Sequence, residues 1–263
     1  MARSKQDKLS IVIPSYNQAR FIGETLASLV NQRDIDPEEL EIIVIDGGST
    51  DETMTVIKRY ADRLTYLVSE PDRGQTHALI KGFQRSTGSL QGWLCSDDLL
   101  EPTTVREVLD FFQTHRNVHF IYGDAVWIDE DSRFIRKKKE IDFNWFIWTY
   151  YYNYIPQPAA FWRRTLYEEV GGLDEQFDLA MDADLWARFA VRTRPVHVRK
   201  SWARIRTYPG QKTQRLIMRS QAEDRLIRER MGAAFGGPIR RRLLFYYARS
   251  LRIARKFIAG GYW

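Results

Sequence analysis

The first 95 residues repeat one pattern: a short aliphatic run, a polar cluster, then apolar residues at helical spacing. The runs span 9–13, 41–45, 64–69 and 90–95. The first two are almost unbroken in Ile, Val and Leu, as expected of strands buried on both faces. Between the runs, Phe21, Ile22, Leu26, Leu29 and Val30 predict a helix within 18–32, and a further helix is expected over 75–85. Ser49-Thr50-Asp51-Glu52 reads as a capping box, with the Ser49 hydroxyl accepting from the Glu52 amide and Met54 and Ile57 facing inward. Strands alternating with helices predict a mostly parallel sheet with right-handed crossovers. Ligands of such sheets bind beyond the carboxyl ends of the strands. The polar residues there are Ser15 and Asn17, then the clusters at 46–51, 70–75 and 96–98.

Beyond residue 115 the pattern is looser. Strands are expected at 118–122, 125–129 and 159–162, a turn at Glu130-Asp131-Ser132, a break at Gly171-Gly172 and a helix over 182–191. There is no internal repeat.

With 263 residues, 44% hydrophobic and 28% charged, the chain can bury one large core, which excludes disordered and disulfide-scaffold classes. The single cysteine, Cys95, excludes an internal disulfide and a Cys-rich zinc site. No run approaches the roughly 18 apolar residues that span a bilayer. With a polar N-terminus, this predicts a cytoplasmic protein. Charge is uneven. Residues 201–263 hold 15 Lys/Arg against 3 Asp/Glu, whereas the first 200 hold 25 against 31. A basic tail on an acidic body suggests an anionic partner for the tail and a cation or sugars for the body.

Four clusters carry the candidate chemistry. Asp46-Gly47-Gly48-Ser49-Thr50-Asp51 follows a strand and opens a helix. Its glycines permit close backbone approach and its carboxylates can accept from ribose or a base, although the same residues also build an ordinary turn. It lacks the spacing of the dinucleotide fingerprint. Cys95-Ser96-Asp97-Asp98 puts two carboxylates at a strand end, suited to a hard divalent cation, or to capping the helix near Pro102. Glu70-Pro71-Asp72-Arg73-Gly74-Gln75 places a guanidinium where it can hold a phosphate, or forms a plain turn. Asp182 and Asp184 open a helix and point in different directions. One is available as a general base while the other caps or pairs with Arg188.

In order and spacing, the segments SIVIPSYNQARFIGETLASLVNQ, EIIVIDGGSTDET, SEPDRGQTHALIKGF, GWLCSDDLLEP and GGLDEQFDLAMDADLWAR resemble the inverting family 2 glycosyltransferases, over roughly residues 8–210. The resemblance implies an α/β GT-A fold, a nucleotide-binding half and an acceptor-binding half. It implies sugar transfer with inversion from a nucleotide-diphosphate donor, a UDP-sugar first, using Mg or Mn. Carried over by position, Pro14, Ser15 and Asn17 would line the nucleotide site. Asp46, Gly48, Ser49 and Asp51 would hold uracil and ribose, and Asp72 and Gly74 would face the base or donor, with Arg73 and Gln75 nearby. Asp97 and Asp98 would form the metal and ribose site, and Asp182 would be the catalytic base. Cys95 stands where many members carry the first Asp of D-x-D, and Met181 replaces the Glu before the base. The Q-x-x-R-W motif of processive synthases is missing, which implies single additions. A sugar, lipid-linked or glycan acceptor in cell-envelope polysaccharide or glycolipid assembly is the implied setting. The aromatic stretch 145–154 and the segment 156–162 would border the acceptor, their ring faces suiting sugars, or would simply pack in the core.

Two other readings use the same residues. A non-catalytic nucleotide-sugar-binding relative is motivated by Cys95 and Met181. A nucleic-acid-binding protein is motivated by the tail, but its basic residues are confined to the chain's end and no nucleic-acid module is present. The chain divides into 1–210 and a basic helical region, 211–263. On a helical wheel Leu243, Leu244, Tyr247, Leu251, Ala254 and Ile258 share one face, opposite Arg241, Arg242, Arg249, Arg252, Arg255 and Lys256. Such a helix either rests on an anionic membrane surface, making the protein peripheral there, or packs on the domain.

Overall fold

The structure is a computed structural model, and residues 7–233 and 236–260 are described; the first six residues of the polar N-terminus lie outside them. The chain forms β1 (Leu9–Ser15), α1 (Ile22–Val30), β2 (Leu40–Asp46), α2 (Thr53–Lys58), β3 (Tyr66–Ser69), α3 (Gln75–Arg85), β4 (Leu90–Trp93) and β5 (Leu99–Leu100). It continues through α4 (Thr104–Thr114), β6 (Phe120–Ile128), β7 (Phe134–Lys138), α5 (Trp145–Tyr150), β8 (Ala160–Arg163) and α6 (Arg164–Glu169). It ends with α7 (Met181–Arg192), β9 (Val196–Arg206), α8 (Lys212–Arg215), α9 (Ile217–Arg230) and α10 (Pro238–Ile258).

One mixed sheet organises all of this, in the order β3-β2-β1-β4-β8-β6-β9-β5, with β7 paired to β6. β3, β2, β1 and β4 are parallel, as the alternation requires, while β8 enters antiparallel to β4. Every residue of β1 and β2 is buried. Alternate residues serve opposite cores: Val12, Ile43 and Ile45 pack with α3 and α7, whereas Ile11, Ile13, Ile42 and Val44 pack with α1 and α4. This is the two-faced burial that unbroken aliphatic runs encode. The fold is the α/β GT-A type.

Gly82 shows how tightly α3 lies on the sheet. A Cβ there would sit 2.2 Å from Val12 Cγ1. Alanine normally favours a helix over glycine by about 1 kcal/mol, but the overlap outweighs that gain. Gly82→Ala should therefore lower stability by ~1–3 kcal/mol in chemical denaturation; a variant as stable as the parent would mean that α3 rides further from β1.

Three expectations are corrected. The stretch expected as two strands, 118–122 and 125–129, is one strand, β6, continuous through Gly123. A Cβ at Gly123 would lie 2.6 Å from the Trp202 ring of β9, so glycine is what lets the two strands run side by side. The Ser49 capping box does not form: Ser49 Oγ turns to Asp46, and Asp51 Oδ1 accepts from the Thr53 amide at the start of α2 instead. Thr103, not Asp97 or Asp98, stands at the N-cap of α4. Gly171 and Gly172 do break the chain, both with positive φ.

Candidate active site

The carboxyl ends of β1, β2, β3 and β4 form one rim, and the expected site residues meet along it. Asn17 takes positive φ after β1, donates its amide to Ser49 Oγ at 2.8 Å and accepts from the Thr50 amide at 2.9 Å. Asp46, fully buried, accepts from the Gly48 and Ser49 amides and from the hydroxyls of Ser49 and Ser69. Asp46 therefore shapes this loop through its own chain. Asp51 does similar work: burial raises its carboxyl, but donors from Thr53 and Ala19 together hold it below the ordinary range. Gly48 has positive φ, and Gly47 has no room for a Cβ because Asp72 Oδ2 lies 2.7 Å from where it would be. Asp72 in turn accepts from the Gly74 amide. Pro14 is buried in β1, and the Ser15 hydroxyl beside it is buried without a partner. Arg73, expected beside a phosphate, instead directs its fork at Glu175, with Nη2 at 2.8 Å. Gln75 points to Cys95, 3.4 Å from its sulfur.

After β4 the chain places Cys95, Asp97 and Asp98 so that one ligand atom from each lies within 4.8 Å of the others. Burial pushes the Asp97 carboxyl up, and burial plus the Asp97 charge push Asp98 well up. Tyr208 and Gln211 donate to Asp97 Oδ2, and the Arg206 amide donates to Asp98 Oδ1 at 2.9 Å. Two neighbouring buried carboxylates with mainly neutral donors are under-compensated, and they present hard oxygen atoms. That set fits a hard divalent cation. Cys95 does not belong to it. Burial holds it as a thiol, accepting from Gln75 and donating to Gln157. Soft sulfur is a poor partner for such ions.

Asp182 lies in the first turn of α7, close enough to this cluster that its charge also raises the Cys95 thiol. Burial lifts Asp182 from 3.8 to about 6. Its Oδ2 accepts from Asn153 Nδ2 at 3.0 Å, so the aromatic segment after α5 touches it directly. Asp184 faces away, buried and bound to Arg188 at 2.9 Å through Nε, as the i+4 spacing allows. The approach to α7 is fixed from α9, where Glu223 Oε2 accepts the amides of Asp178, Leu179 and Ala180. Sequence reasoning missed Asn153, Arg206, Tyr208, Gln211 and Glu223. All reach the site across long sequence separations, and only the aromatic run around Asn153 gave a local signal.

Similarity to known proteins follows this geometry. The family model described as glycosyl transferase family 2 matches residues 10–169. An uncharacterised glycosyltransferase of Rickettsia prowazekii is 28% identical over 192 residues, covering 69% of this chain and 58% of that protein. A PGL/p-HBAD biosynthesis glycosyltransferase of Mycobacterium bovis is 28% identical over 197 residues, covering 72% and 73%. The chain thus spans less than two thirds of the Rickettsia relative's length. Among solved structures, Staphylococcus aureus TarS 1-349 in complex with UDP superposes with a TM-score of 0.67 at 19% identity, covering 90% of this chain and 69% of that one. Mannosyltransferase PcManGT of Pyrobaculum calidifontis, in complex with GDP-Man and Mn2+, gives 0.64 at 16%, covering 98% and 76%. With more than half of its residues matched by the family model and its rim of loops at the parallel strand ends, the chain belongs to glycosyl transferase family 2.

Proposed function

We propose that this chain transfers a single sugar from a nucleotide-diphosphate donor to an acceptor hydroxyl with inversion. The observation that carries the reading is the convergence around Cys95 of a buried carboxylate pair, Asp97 and Asp98, and a separate half-buried carboxylate, Asp182, poised to titrate at about 6. Groups whose environments push them to different tasks are the mark of a catalytic cleft. UDP is the first donor nucleotide to test, because TarS is solved with UDP and UDP-GlcNAc, while the mannosyltransferase holds GDP-Man.

The nucleotide would lie along Pro14–Asn17, Asp46–Asp51 and Asp72–Gln75. Asp97 and Asp98 would hold Mg or Mn, which when bound offsets negative charge on the donor diphosphate. Asp182, ionised above its raised pKa, takes the acceptor hydroxyl's proton as that oxygen attacks the anomeric carbon. The bond to the diphosphate breaks, and the nucleotide diphosphate leaves with the bonding pair. Asn153 holds the Asp182 carboxylate in place throughout. The sugar is inverted in one displacement, and no covalent enzyme intermediate forms. The acceptor, a hydroxyl of a sugar, lipid-linked or glycan substrate in envelope polysaccharide or glycolipid assembly, would approach along the aromatic segment 145–154.

Calorimetry tests the cation site. Mn should bind weakly to the protein alone, since two carboxylates are few ligands, and at least about tenfold more tightly with UDP present. UDP affinity unchanged by a chelator would remove the cation from the site. Release of nucleotide diphosphate from a panel of nucleotide sugars then tests transfer itself.

A further inference from the structure

A helix on the surface of a soluble domain turns its apolar stripe inward. α10 does so only in part: Leu251 packs on the core and Leu244 is half-buried, but much of its apolar surface stays outside. Its fully buried side chain is Ala248, and next to it Arg252 is turned into the body, where Nη2 meets the buried Glu140 at 2.6 Å and the guanidinium lies over the Tyr152 and Tyr154 rings. Lys138 completes this cluster on Glu140. With Arg252 inward, a set of apolar side chains faces out: Ile239 is 77% exposed, Leu243 66% and Ile253 46%. At 100° per residue, Ile239, Leu243, Tyr246, Ile253 and Ile258 span an outward arc of about 140°, wider than a coiled-coil seam. Exposed Arg242 and Arg249 border it. Seven of the 21 residues of α10 are Arg or Lys and none is acidic.

We infer that α10 is an interfacial membrane helix, and that it holds the cleft against an anionic lipid surface. Charge selects this occupant. A second copy of the chain would bring an equally basic helix against the same face, whereas anionic headgroups complement the arginines while the outward arc enters the acyl boundary. Among the described residues no helix is long and apolar enough to cross a membrane, so the contact is a surface one. The geometry links this face to the chemistry. α10 packs on α5 through Phe146–Tyr247 and Tyr151–Phe245 ring contacts, and the segment following α5 carries Asn153 to Asp182. Resting on the proposed transfer reaction, the inference assigns the acceptor to the lipid-linked class, with its hydroxyl delivered at the bilayer surface.

The test is flotation of the full chain with phosphatidylcholine vesicles containing about one third phosphatidylglycerol, alongside pure phosphatidylcholine vesicles. The protein should float with the anionic vesicles only, and several-fold less at about 0.5 M salt, where charge attraction is screened. Leu243→Glu/Ile253→Glu, both outward, should cut binding about tenfold or more while melting like the parent. Arg242→Glu/Arg249→Glu should do so as well if the first pair perturbs folding. Protein that stays unbound at low salt overturns the inference. So does an oligomer that the Leu243→Glu/Ile253→Glu substitution dissociates without any flotation, which would make the occupant a second copy. A melting shift with UDP and Mn reports donor binding separately. Flotation without that shift sinks the donor reading alone, and the shift without flotation sinks the membrane helix alone.

Discussion

Asp182→Asn should abolish transfer and stabilise the protein at the same time. The substitution removes the proton acceptor while keeping the volume and an oxygen for Asn153 to donate to. A general base contributes about 10²–10⁴-fold, so turnover should fall at least a hundredfold, with UDP affinity retained. The stability gain follows from the raised pKa. Burial lifts the Asp182 carboxyl from 3.8 to about 6, so the folded state above pH 6 holds a charge that the unfolded chain holds at less cost. A shift of that size corresponds to roughly 2–3 kcal/mol. Below about pH 4 the carboxyl is protonated in both states and the variant gains nothing; the gain grows between about pH 4 and 6 and then stays level. Wild-type turnover, in the opposite sense, should rise as pH climbs through about 6. Denaturation at several pH values with a parallel rate profile reads both. Near-normal turnover of Asp182→Asn would move the base elsewhere, and an unchanged stability at pH 8 would mean that Asp182 is solvated.

The parallel half was legible because its strands are buried on both faces, so an aliphatic run suffices to announce each one. α3 spans the 75–85 that its spacing predicts. β9 carries no such signal. Its eleven residues include Arg199, Lys200, Arg204 and Arg206, which look like a surface segment until Glu101 takes Arg204 and backbone carbonyls take Arg206. Those partners lie about a hundred residues away, where no local rule reaches. The same holds for α10. A wheel reveals two faces, but only Glu140, 112 positions before Arg252, decides which one turns inward. At the site, the positions of the carboxylates were legible as polar ends of strands and helices. Their donors were not: Ser49 obeyed Asp46 rather than the local capping rule, and Tyr208 reaches Asp97 across 111 positions.

Arg206 should prove the largest single contributor to the site's framework. Antiparallel pairing of Leu99 with Arg204 brings Arg206 beside the Asp97–Asp98 turn, where its amide donates to Asp98 Oδ1. The side chain is wholly buried. Its Nε donates to the Asp97 carbonyl at 2.8 Å, and Nη1 to the carbonyls of Asp129 and Glu130 and to Ser132 Oγ. Nη2 reaches Glu24 at 3.1 Å, and the guanidinium rests on the Phe21 ring. One planar fork thus ties the turn after β4, the turn after β6 and α1 together. Arg206→Ala leaves these acceptors unsatisfied around a cavity, and removing one member of such a buried network costs about 3–5 kcal/mol. For a chain of this size the melting temperature should drop by about 10 °C or more. Lysine keeps the charge but offers a point donor that cannot serve acceptors on three sides, so Arg206→Lys should recover only part of the loss. Because the Asp97 carbonyl loses its anchor, Mn affinity in the presence of UDP should also weaken about tenfold in Arg206→Lys, measured well below its melting temperature. A lysine variant with parental melting and parental Mn affinity would show that the turn holds its shape without the fork.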